Sequence, residues 1–188
     1  MRILVAYATR HGQTDKVARR IAAELGEQGH SAELRDLDSD GKNVELSLYR
    51  AVIVAAPIHA GGYPPSVVSF LRREQARLNQ LPSAFVSVGL AIASKTSDGR
   101  AQTMPLVEKL CARTGFRPAH VELVAGALKY SQYGFLMRYV MRRIAAHEGG
   151  DTDTSRDYEY TDWAALAEFT RTFVARLTST PAARAPAA

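Results

Sequence analysis

The hexapeptide TRHGQT, residues 9–14, combines residue types that bind anions. It lies between an apolar run at residues 2–8 and a segment with helical spacing, so free amides and a partial positive charge at the helix start favour a phosphate there. Thr9 and Thr14 add hydroxyl donors, and Gly12 lets the backbone approach a ligand. Because the loop lacks both the lysine of a triphosphate loop and GxGxxG spacing, it predicts a site for one terminal monophosphate. A plain strand-to-helix turn capped by Thr14 is the alternative.

Two more loops follow apolar runs that end at the same edge of the predicted sheet. APIHAGGYPP, residues 56–65, joins apolar residues to a flexible Gly61-Gly62 pair, and SVGLAIAS, residues 87–94, carries Gly89 where a flat ligand can approach the backbone. In open parallel sheets, ligands bind outside the carboxyl ends of the strands. Small and apolar residues suit a planar ring, so the three loops together predict flavin mononucleotide (FMN).

The elements that position these loops alternate along the chain. Strands are predicted at residues 2–8, 31–37, 50–58, 82–92 and 120–128, and helices at residues 14–28, after Pro64-Pro65, and at residues 101–115 and 162–177. This order predicts an α/β fold with a doubly wound, five-stranded parallel sheet, helices on both faces and one domain over residues 1–178. A long insert at residues 129–160 interrupts the alternation before the last helix, and the Pro/Ala tail at residues 179–188 is expected to be disordered.

Composition limits the classes of protein that need to be considered. The chain has 188 residues, 46% of them hydrophobic, with a net charge of +5 and a pI near 9.5. No apolar run reaches the roughly 18 residues that span a bilayer, and Cys111 is the only cysteine, so we expect a cytoplasmic protein without an internal disulfide. Charge alone does not choose among nucleic acid, an anionic membrane and a polyanionic ligand.

Residues 133–147 of the insert, YGFLMRYVMRRIAAH, have the spacing of a basic amphipathic helix. One arc carries apolar side chains: Leu136, Met137, Val140, Met141 and Ile144. The opposite side carries Arg138, Arg142 and Arg143, with Phe135 and Tyr139 among them. Two interpretations stay open: contact with an anionic membrane surface, or a helix whose apolar arc packs on the sheet beneath a solvated basic face.

The chain resembles the flavodoxin-like family, and within it the bacterial, quinone-dependent protoporphyrinogen IX dehydrogenases. The motifs that carry the resemblance are TRHGQT, LPSAFVSVGL at residues 81–90, AGALKYSQY at residues 125–133 and GGDTDTSRDYEYTDW at residues 149–163. The resemblance implies an FMN enzyme of haem synthesis that takes electrons from protoporphyrinogen IX and passes them to a membrane quinone. It also implies a peripheral location on the inner face of the cell membrane, without a nucleic-acid partner, and leaves a homo-oligomer open.

The resemblance implies a phosphate loop and two loops that flank the ring as the cofactor site, and one acidic residue is predicted beside them. The loop residues are Thr9, Arg10, His11, Gly12, Gln13, Thr14, Pro57, Ile58, His59, Ala60, Gly61, Ser87, Val88, Gly89, Leu90 and Ala91. The acidic residue is Asp153 in GGDTDT, which either faces the flavin side or belongs to a turn that Asp and Thr side chains cap. The chain departs from a typical flavodoxin because residues 89–94 contain no aromatic side chain to stack on the flavin. Tyr63 either reaches the ring or packs on the next helix.

A second predicted set, Lys129, Tyr130, Arg138 and Arg142, would contact substrate or membrane. Protoporphyrinogen carries two propionates, which arginine binds in a bidentate way, so the cations of this set would seat porphyrinogen or anionic lipid. No catalytic acid or base is assigned. The alternatives are an NAD(P)H:quinone reductase, a flavodoxin-type electron carrier, which the basic pI disfavours, and a flavin-free module that binds a phosphate ligand.

Overall fold

The computed structural model describes residues 1–41, 44–94, 98–132, 134–147 and 149–179. The strands are β1 (Arg2–Tyr7), β2 (Ser31–Asp36), β3 (Ala51–Pro57), β4 (Ser83–Gly89), β5 (His120–Ala125), β6 (Ala127–Leu128) and β7 (Tyr158–Glu159). The helices are α1 (Gln13–Glu27), α2 (Pro65–Arg73), α3 (Gln75–Leu78), α4 (Gly99–Thr114), α5 (Phe135–His147) and α6 (Trp163–Ser179). Single 3₁₀ turns occur at Leu46–Leu48, Leu90–Ala93 and Tyr130–Gln132.

Five strands form one parallel sheet in the order β2-β1-β3-β4-β5, which confirms the predicted fold class. The central strands β1, β3 and β4 are buried almost throughout, as expected of parallel strands covered on both faces. The chain runs outward in one direction from β1 to β2 and in the other from β3 to β5. The strand order therefore reverses between β1 and β3, and this is where open α/β sheets form a ligand crevice.

Two apolar cores cover the two faces of the sheet. Alternate residues of β1 divide between them: Leu4 joins the core beneath α2 and α4, whereas Ile3 joins the core beneath α1 and α6. Helix α1 places its apolar stripe on the sheet, and it ends before Gly29, whose φ of +76° allows the chain to turn back into β2. The rigid layers hold the loops at the carboxyl edge.

The insert begins with a break that the sequence analysis missed. The single strand predicted at residues 120–128 is wrong, because β5 ends at Ala125 and the chain leaves the sheet at Gly126. Gly126 accepts a hydrogen bond from the amide of Tyr160 at 3.1 Å, and β6 then pairs antiparallel with β7. Leu128 and Tyr130 pack with Ala145 of α5 in a third, small core. The insert thus carries its own two-stranded ribbon and helix.

The domain boundary at residue 178 and the disordered tail stay predictions, since residues 180–188 lie outside the described part of the chain. Within the described ranges, every helix is too short or too polar to traverse a bilayer. The predicted helix at residues 133–147 corresponds to α5, which begins at Phe135.

Candidate functional site

A cavity of about 500 Å³ opens at the carboxyl edge of the sheet, beside β1 and β3, between which the strand order reverses. Four loops and the insert helix α5 enclose it. Its lining residues are Thr9, Arg10, His11, Gln13, Thr14, Pro57, Ile58, His59, Ala60, Val88, Gly89, Leu90, Gly126, Ala127, Gly134, Val140 and Met141. The structure therefore brings together most of the residues that the sequence analysis assigned to a cofactor.

The loop between β1 and α1 has the geometry of an anion site. Gly12 precedes the helix with a φ of +78°, and its amide donates a 3.0 Å hydrogen bond to Oγ1 of Thr9. A Cβ atom at Gly12 would meet nothing within 4 Å, so the loop keeps open space beside the first free amides of α1. Thr14 does not cap the helix: no side chain caps α1, and Thr14 is 1% exposed. Thr14 as the cap of this helix is therefore wrong, and phosphate binding at the loop stays a prediction.

Two histidines and an arginine lie at this end of the cavity. The rings of His11 and His59 lie with their centroids 5.7 Å apart. The pKa of His59 is lowered from its ordinary value, first by desolvation of its ring and then by electrostatic interaction with Arg10 and His11. At neutral pH His59 is therefore a neutral imidazole. A dianion bound nearby would favour the protonated ring and so raise the pKa of His59.

Gln13 supplies a polar atom that nothing in the described part of the chain satisfies. The residue is 7% exposed, and its side-chain oxygen Oε1 has no hydrogen-bond partner. Its amide nitrogen Nε2 donates to Oγ1 of Thr161 at 2.9 Å. A buried acceptor without a partner costs free energy, so an orphaned oxygen at a cavity wall indicates a ligand or water that donates to it.

The loop after β3 is held in a tight reverse turn. The amide of His59 donates to the carbonyl of Gly62 at 2.8 Å, and the amide of Gly62 donates back at 3.0 Å. Between them Ala60 adopts a φ of +46°. Ile58 is fixed to β4, since its amide donates to the carbonyl of Val88 at 2.8 Å. The loop therefore presents a defined apolar rim to the cavity.

In the loop after β4, only some of the residues predicted to bind the cofactor line the cavity. Val88, Gly89 and Leu90 line the cavity, whereas Ser87 is fully buried and its hydroxyl lies 2.8 Å from the hydroxyl of Tyr63. Consecutive residues of a strand point to opposite faces, which explains why Ser87 faces away from Val88.

Tyr63 is partly buried and packs against the core beside the cavity. Its ring meets Phe85 edge-on at 5.3 Å between centroids, and burial raises the pKa of its hydroxyl to about 12. The observed packing partner is thus Phe85 of β4 rather than the next helix, and contact of Tyr63 with a ring stays a prediction.

An apolar cleft of about 330 Å³ adjoins the cavity. The two spaces share Ile58, Ala60, Leu90 and Met141. The cleft alone is further lined by Gly61, Ala91, Ala93, Ser94, Leu128, Ala145, Gly150 and Tyr160. Gly61 and Ala91, predicted beside a cofactor ring, thus lie in this cleft.

The remaining predicted residues of the insert lie apart from the cavity. The carboxylate of Asp153 accepts hydrogen bonds from the amide and hydroxyl of Ser155 at 3.0 and 2.7 Å and lies 3.5 Å from Arg156. The structure does not bring Asp153 to the cavity. Tyr130 is fully buried, and its hydroxyl donates to the carbonyl of Asp151 at 2.9 Å.

The predicted cations of the insert differ in their exposure to solvent. Lys129 is half-buried and faces Asp157, whose pKa is lowered first by hydrogen bonds from Ser131 and then by the charge of Lys129. Arg138 is half-buried and Arg142 is exposed.

Helix α5 has one face on the cleft and one in solvent. Met141 and Ala145 line the cleft, while Phe135 is 91% exposed and Tyr139 is 55% exposed. Arg142 lies on the same outer side as these aromatic residues, with spacings of seven and three residues. The side chains of Leu136, Met137 and Ile144 lie outside the described set, so the predicted apolar arc is described only in part.

Several lining residues were missed by the sequence analysis. Gly126, Ala127 and Gly134 were not predicted to line a ligand site, although the first two belong to the motif AGALKYSQY and Gly134 to the predicted insert helix. Val140 and Met141 were predicted as part of an apolar arc, but not as walls of a ligand site. Helical spacing was the available signal, because an apolar stripe on an insert helix must cover some part of the domain.

Comparison with known proteins gives two kinds of similarity. A protein-family model described as a flavodoxin domain matches residues 4–155. The protoporphyrinogen IX dehydrogenase [quinone] of Escherichia coli K12 is 34% identical over 181 residues, which are 96% of this chain and 98% of that protein. A protein of the same name from Leishmania major is 31% identical over 173 residues, covering 92% of this chain and 74% of that protein.

Solved structures support the fold alone. Oxidised flavodoxin 1 from Bacillus cereus superposes with a TM-score of 0.56 at 14% identity, covering 93% of this chain and 98% of that chain. The apo form of the NADH:FMN oxidoreductase EmoB superposes with a TM-score of 0.55 at 15% identity, covering 97% of this chain and 93% of that chain.

Proposed function

Since the chain belongs to the flavodoxin-domain family and, within it, to the quinone-dependent protoporphyrinogen IX dehydrogenases, we propose that it oxidises protoporphyrinogen IX with FMN as cofactor and a quinone as acceptor. The observation that carries this proposal is the 34% identity to the Escherichia coli dehydrogenase over 96% of the chain. Because the match covers 98% of that protein, it includes the insert as well as the sheet.

The residues of the cavity fit FMN. Its volume of about 500 Å³ falls within the roughly 300–1,000 Å³ of small-molecule sites. The amides that open α1 and the open space at Gly12 suit a monophosphate, and the orphaned oxygen of Gln13 suits a hydroxyl of a sugar-alcohol chain. The apolar rim from Ile58 to Ala60 and from Val88 to Leu90 suits a flat ring. When bound, FMN supplies the two-electron chemistry, and the protein positions it.

The adjoining cleft supports an enzyme rather than an electron carrier. Leu90, Leu128, Met141 and Ala145 make most of its wall apolar, and Ile58 is shared with the cavity. A planar apolar molecule in this cleft would lie beside a ring held in the cavity, with water excluded by α5. We assign this cleft to the approach of porphyrinogen and quinone, which both need to meet the flavin.

The outer face of α5 supports contact with an anionic membrane surface, from which a lipid-soluble quinone would be reached. Phe135 and Tyr139 are exposed aromatic residues beside Arg142, and this combination is typical of segments that lie in a membrane interface. Lys129, Arg138 and Arg142 remain our candidates for the propionates of porphyrinogen or for lipid phosphates.

Two alternatives, a flavodoxin-type carrier and an NAD(P)H:quinone reductase, receive less support. The named relatives at 34% and 31% identity are dehydrogenases, whereas the flavodoxin of Bacillus cereus and the NADH:FMN oxidoreductase share only the fold with this chain, at 14% and 15% identity.

The experiment that tests the proposal measures cofactor uptake and turnover separately. Purified protein should take up FMN at micromolar concentration, seen as quenching of flavin fluorescence, and should then oxidise protoporphyrinogen IX under anaerobic conditions only when a quinone is added. Failure to bind FMN overturns the whole proposal. FMN uptake without quinone-dependent oxidation of porphyrinogen would instead favour the carrier, and NAD(P)H-dependent quinone reduction would favour the reductase.

A further inference from the structure

A chain of hydrogen bonds fixes the orientation of the Gln13 amide. The hydroxyl of Thr161 donates to the carbonyl of Ala125 at 2.7 Å. A hydroxyl has one hydrogen, so toward Gln13 the Thr161 oxygen can act only as an acceptor. Nε2 of Gln13 therefore donates the hydrogen bond that Oγ1 of Thr161 accepts at 2.9 Å. The assignment of oxygen and nitrogen in this amide therefore follows from its neighbours rather than from the shape of the side chain.

A second neighbour requires the same orientation. The pKa of the Glu159 carboxyl group is lowered first by a hydrogen bond from Lys16, then by one from Trp163 and last by an interaction with the side chain of Gln13. An ionised carboxylate can only accept, so it too needs the nitrogen of Gln13. Both interactions leave Oε1 as the free end of the amide, buried and without a partner at the cavity wall.

The segment that carries Thr161 is anchored to the start of α1 and to the sheet. Lys16 pairs with Glu159 at 2.8 Å, and the indole of Trp163 donates to the other oxygen of the same carboxylate at 3.0 Å. The amide of Tyr160 donates to Gly126. The end of the insert is thereby held against the first turn of the helix that begins at the phosphate loop.

We propose that Thr161 is a positioning residue for the cofactor site: by accepting from Nε2 it locks the Gln13 amide so that Oε1 faces the cavity and accepts from a hydroxyl or N–H of the bound ligand. This inference rests on the proposed function, in which the ligand is FMN and its sugar-alcohol chain supplies the donor. It assigns to the end of the insert a role in cofactor affinity, in addition to any role toward substrate.

A double-mutant cycle on FMN affinity tests this role. Thr161→Val removes the acceptor while keeping the shape, and Gln13→Ala removes the amide; the dissociation constant is measured by quenching of flavin fluorescence. Each single variant should bind FMN about tenfold more weakly, the effect of one lost hydrogen bond. In the Gln13→Ala background, Thr161→Val should cause no further loss, because Thr161 acts through the amide. Thr161→Ser, which keeps the hydroxyl, should bind like the wild type.

The outcomes separate this inference from the proposed function. Wild-type protein that binds no FMN overturns the proposed function. If the wild type binds FMN but the tenfold loss from Thr161→Val persists in the Gln13→Ala background, only the positioning role is overturned. Unchanged affinity in Thr161→Val overturns the positioning role as well. If the valine variant does not fold, the FMN affinity of Thr161→Cys is compared with that of Thr161→Ser instead, since a thiol is a weak acceptor of similar size.

Discussion

Ala60 is, within the described ranges, the residue other than glycine that has a positive φ. Its φ of +46° falls in the left-handed region, which costs a residue with a Cβ atom roughly 1–2 kcal/mol. The strain lies at the candidate site, because Ala60 lines both the cavity and the adjoining cleft. Strained residues at ligand sites are held by their surroundings, here by the paired hydrogen bonds between His59 and Gly62.

Ala60→Gly should therefore stabilise the protein. Relief of the left-handed strain outweighs the additional backbone entropy that glycine brings to the unfolded chain, for a net gain of about 0.5–1 kcal/mol in the free energy of unfolding. Urea denaturation measures the change. Gly61→Ala is the matched control with the opposite sign: Gly61 has a φ of +73° and open space around an added Cβ, so alanine should destabilise by a similar amount through backbone strain alone. Equal signs for the two variants would contradict the prediction.

At the residue scale, the sequence identified the side chains whose chemistry is local. Thr9 and Gly12 lie between an apolar strand and a helix, and Thr14 lies in the first turn of that helix, so their place at a sheet edge could be predicted from spacing alone. Thr161 could not be found in this way, because it reaches Gln13 from 148 residues further along the chain. The side on which Ser87 lies depends on the strand register, which was not assigned.

At the scale of elements, the position of the Leu90–Ala93 turn depends on how closely α4 approaches it. A Cβ atom at Gly99 would lie 1.8 Å from the carbonyl oxygen of Ala91 and 2.9 Å from the Cα of Ile92. Both contacts involve backbone, which cannot move aside as the end of a side chain can. Glycine at the first position of α4 therefore allows the turn to remain where it borders the cavity.

Gly99→Ala should displace this turn and weaken both stability and cofactor binding. The overlap with backbone should cost about 2 kcal/mol or more of the free energy of unfolding, in the upper range of single substitutions. We expect affinity for FMN, measured by fluorescence quenching, to fall about tenfold or more, since Leu90 lines the cavity.

Gly26→Ala is the matched control for this substitution. Gly26 is an exposed residue in α1 with nothing within 4 Å of an added Cβ, so alanine there should stabilise by roughly 0.5–1 kcal/mol and leave FMN affinity unchanged. Wild-type stability and affinity in Gly99→Ala would show that α4 can move away from the turn without cost.

The sequence predicted the elements of the sheet better than those of the insert. Each parallel strand is a local apolar run, and periodicity indicates such runs directly. The ribbon of β6 and β7 joins Ala127 to Glu159 and Leu128 to Tyr158. Two-residue strands about 30 residues apart carry no periodic signal, so their pairing depends on tertiary contacts and not on local pattern.

At the scale of the whole molecule, part of the positive charge behind the net +5 lies on the exposed face of α5. The exposed face of this helix carries Phe135, Tyr139, Arg142 and Arg143, and its opposite face borders the cleft. A protein that rests on this face at an anionic membrane would have the cleft close to the lipid.

Phe135→Ser and Arg142→Gln should therefore each weaken binding to vesicles made of equal parts phosphatidylcholine and phosphatidylglycerol. The phenylalanine would lose the apolar area that it buries in the interface, and the arginine about 1 kcal/mol of attraction to anionic lipid, so each affinity should fall about fivefold or more in co-sedimentation. Leu48→Ser and Arg50→Gln are matched controls, because Leu48 is 49% exposed, Arg50 is exposed and both lie outside the insert.

Binding to vesicles of phosphatidylcholine alone should be weaker for the wild type and insensitive to Arg142→Gln. High salt should weaken wild-type binding, since the Debye length falls from about 8 Å to about 3 Å between 0.15 M and 1 M. Equal effects from the α5 variants and their controls would mean that the outer face of α5 is ordinary solvated surface.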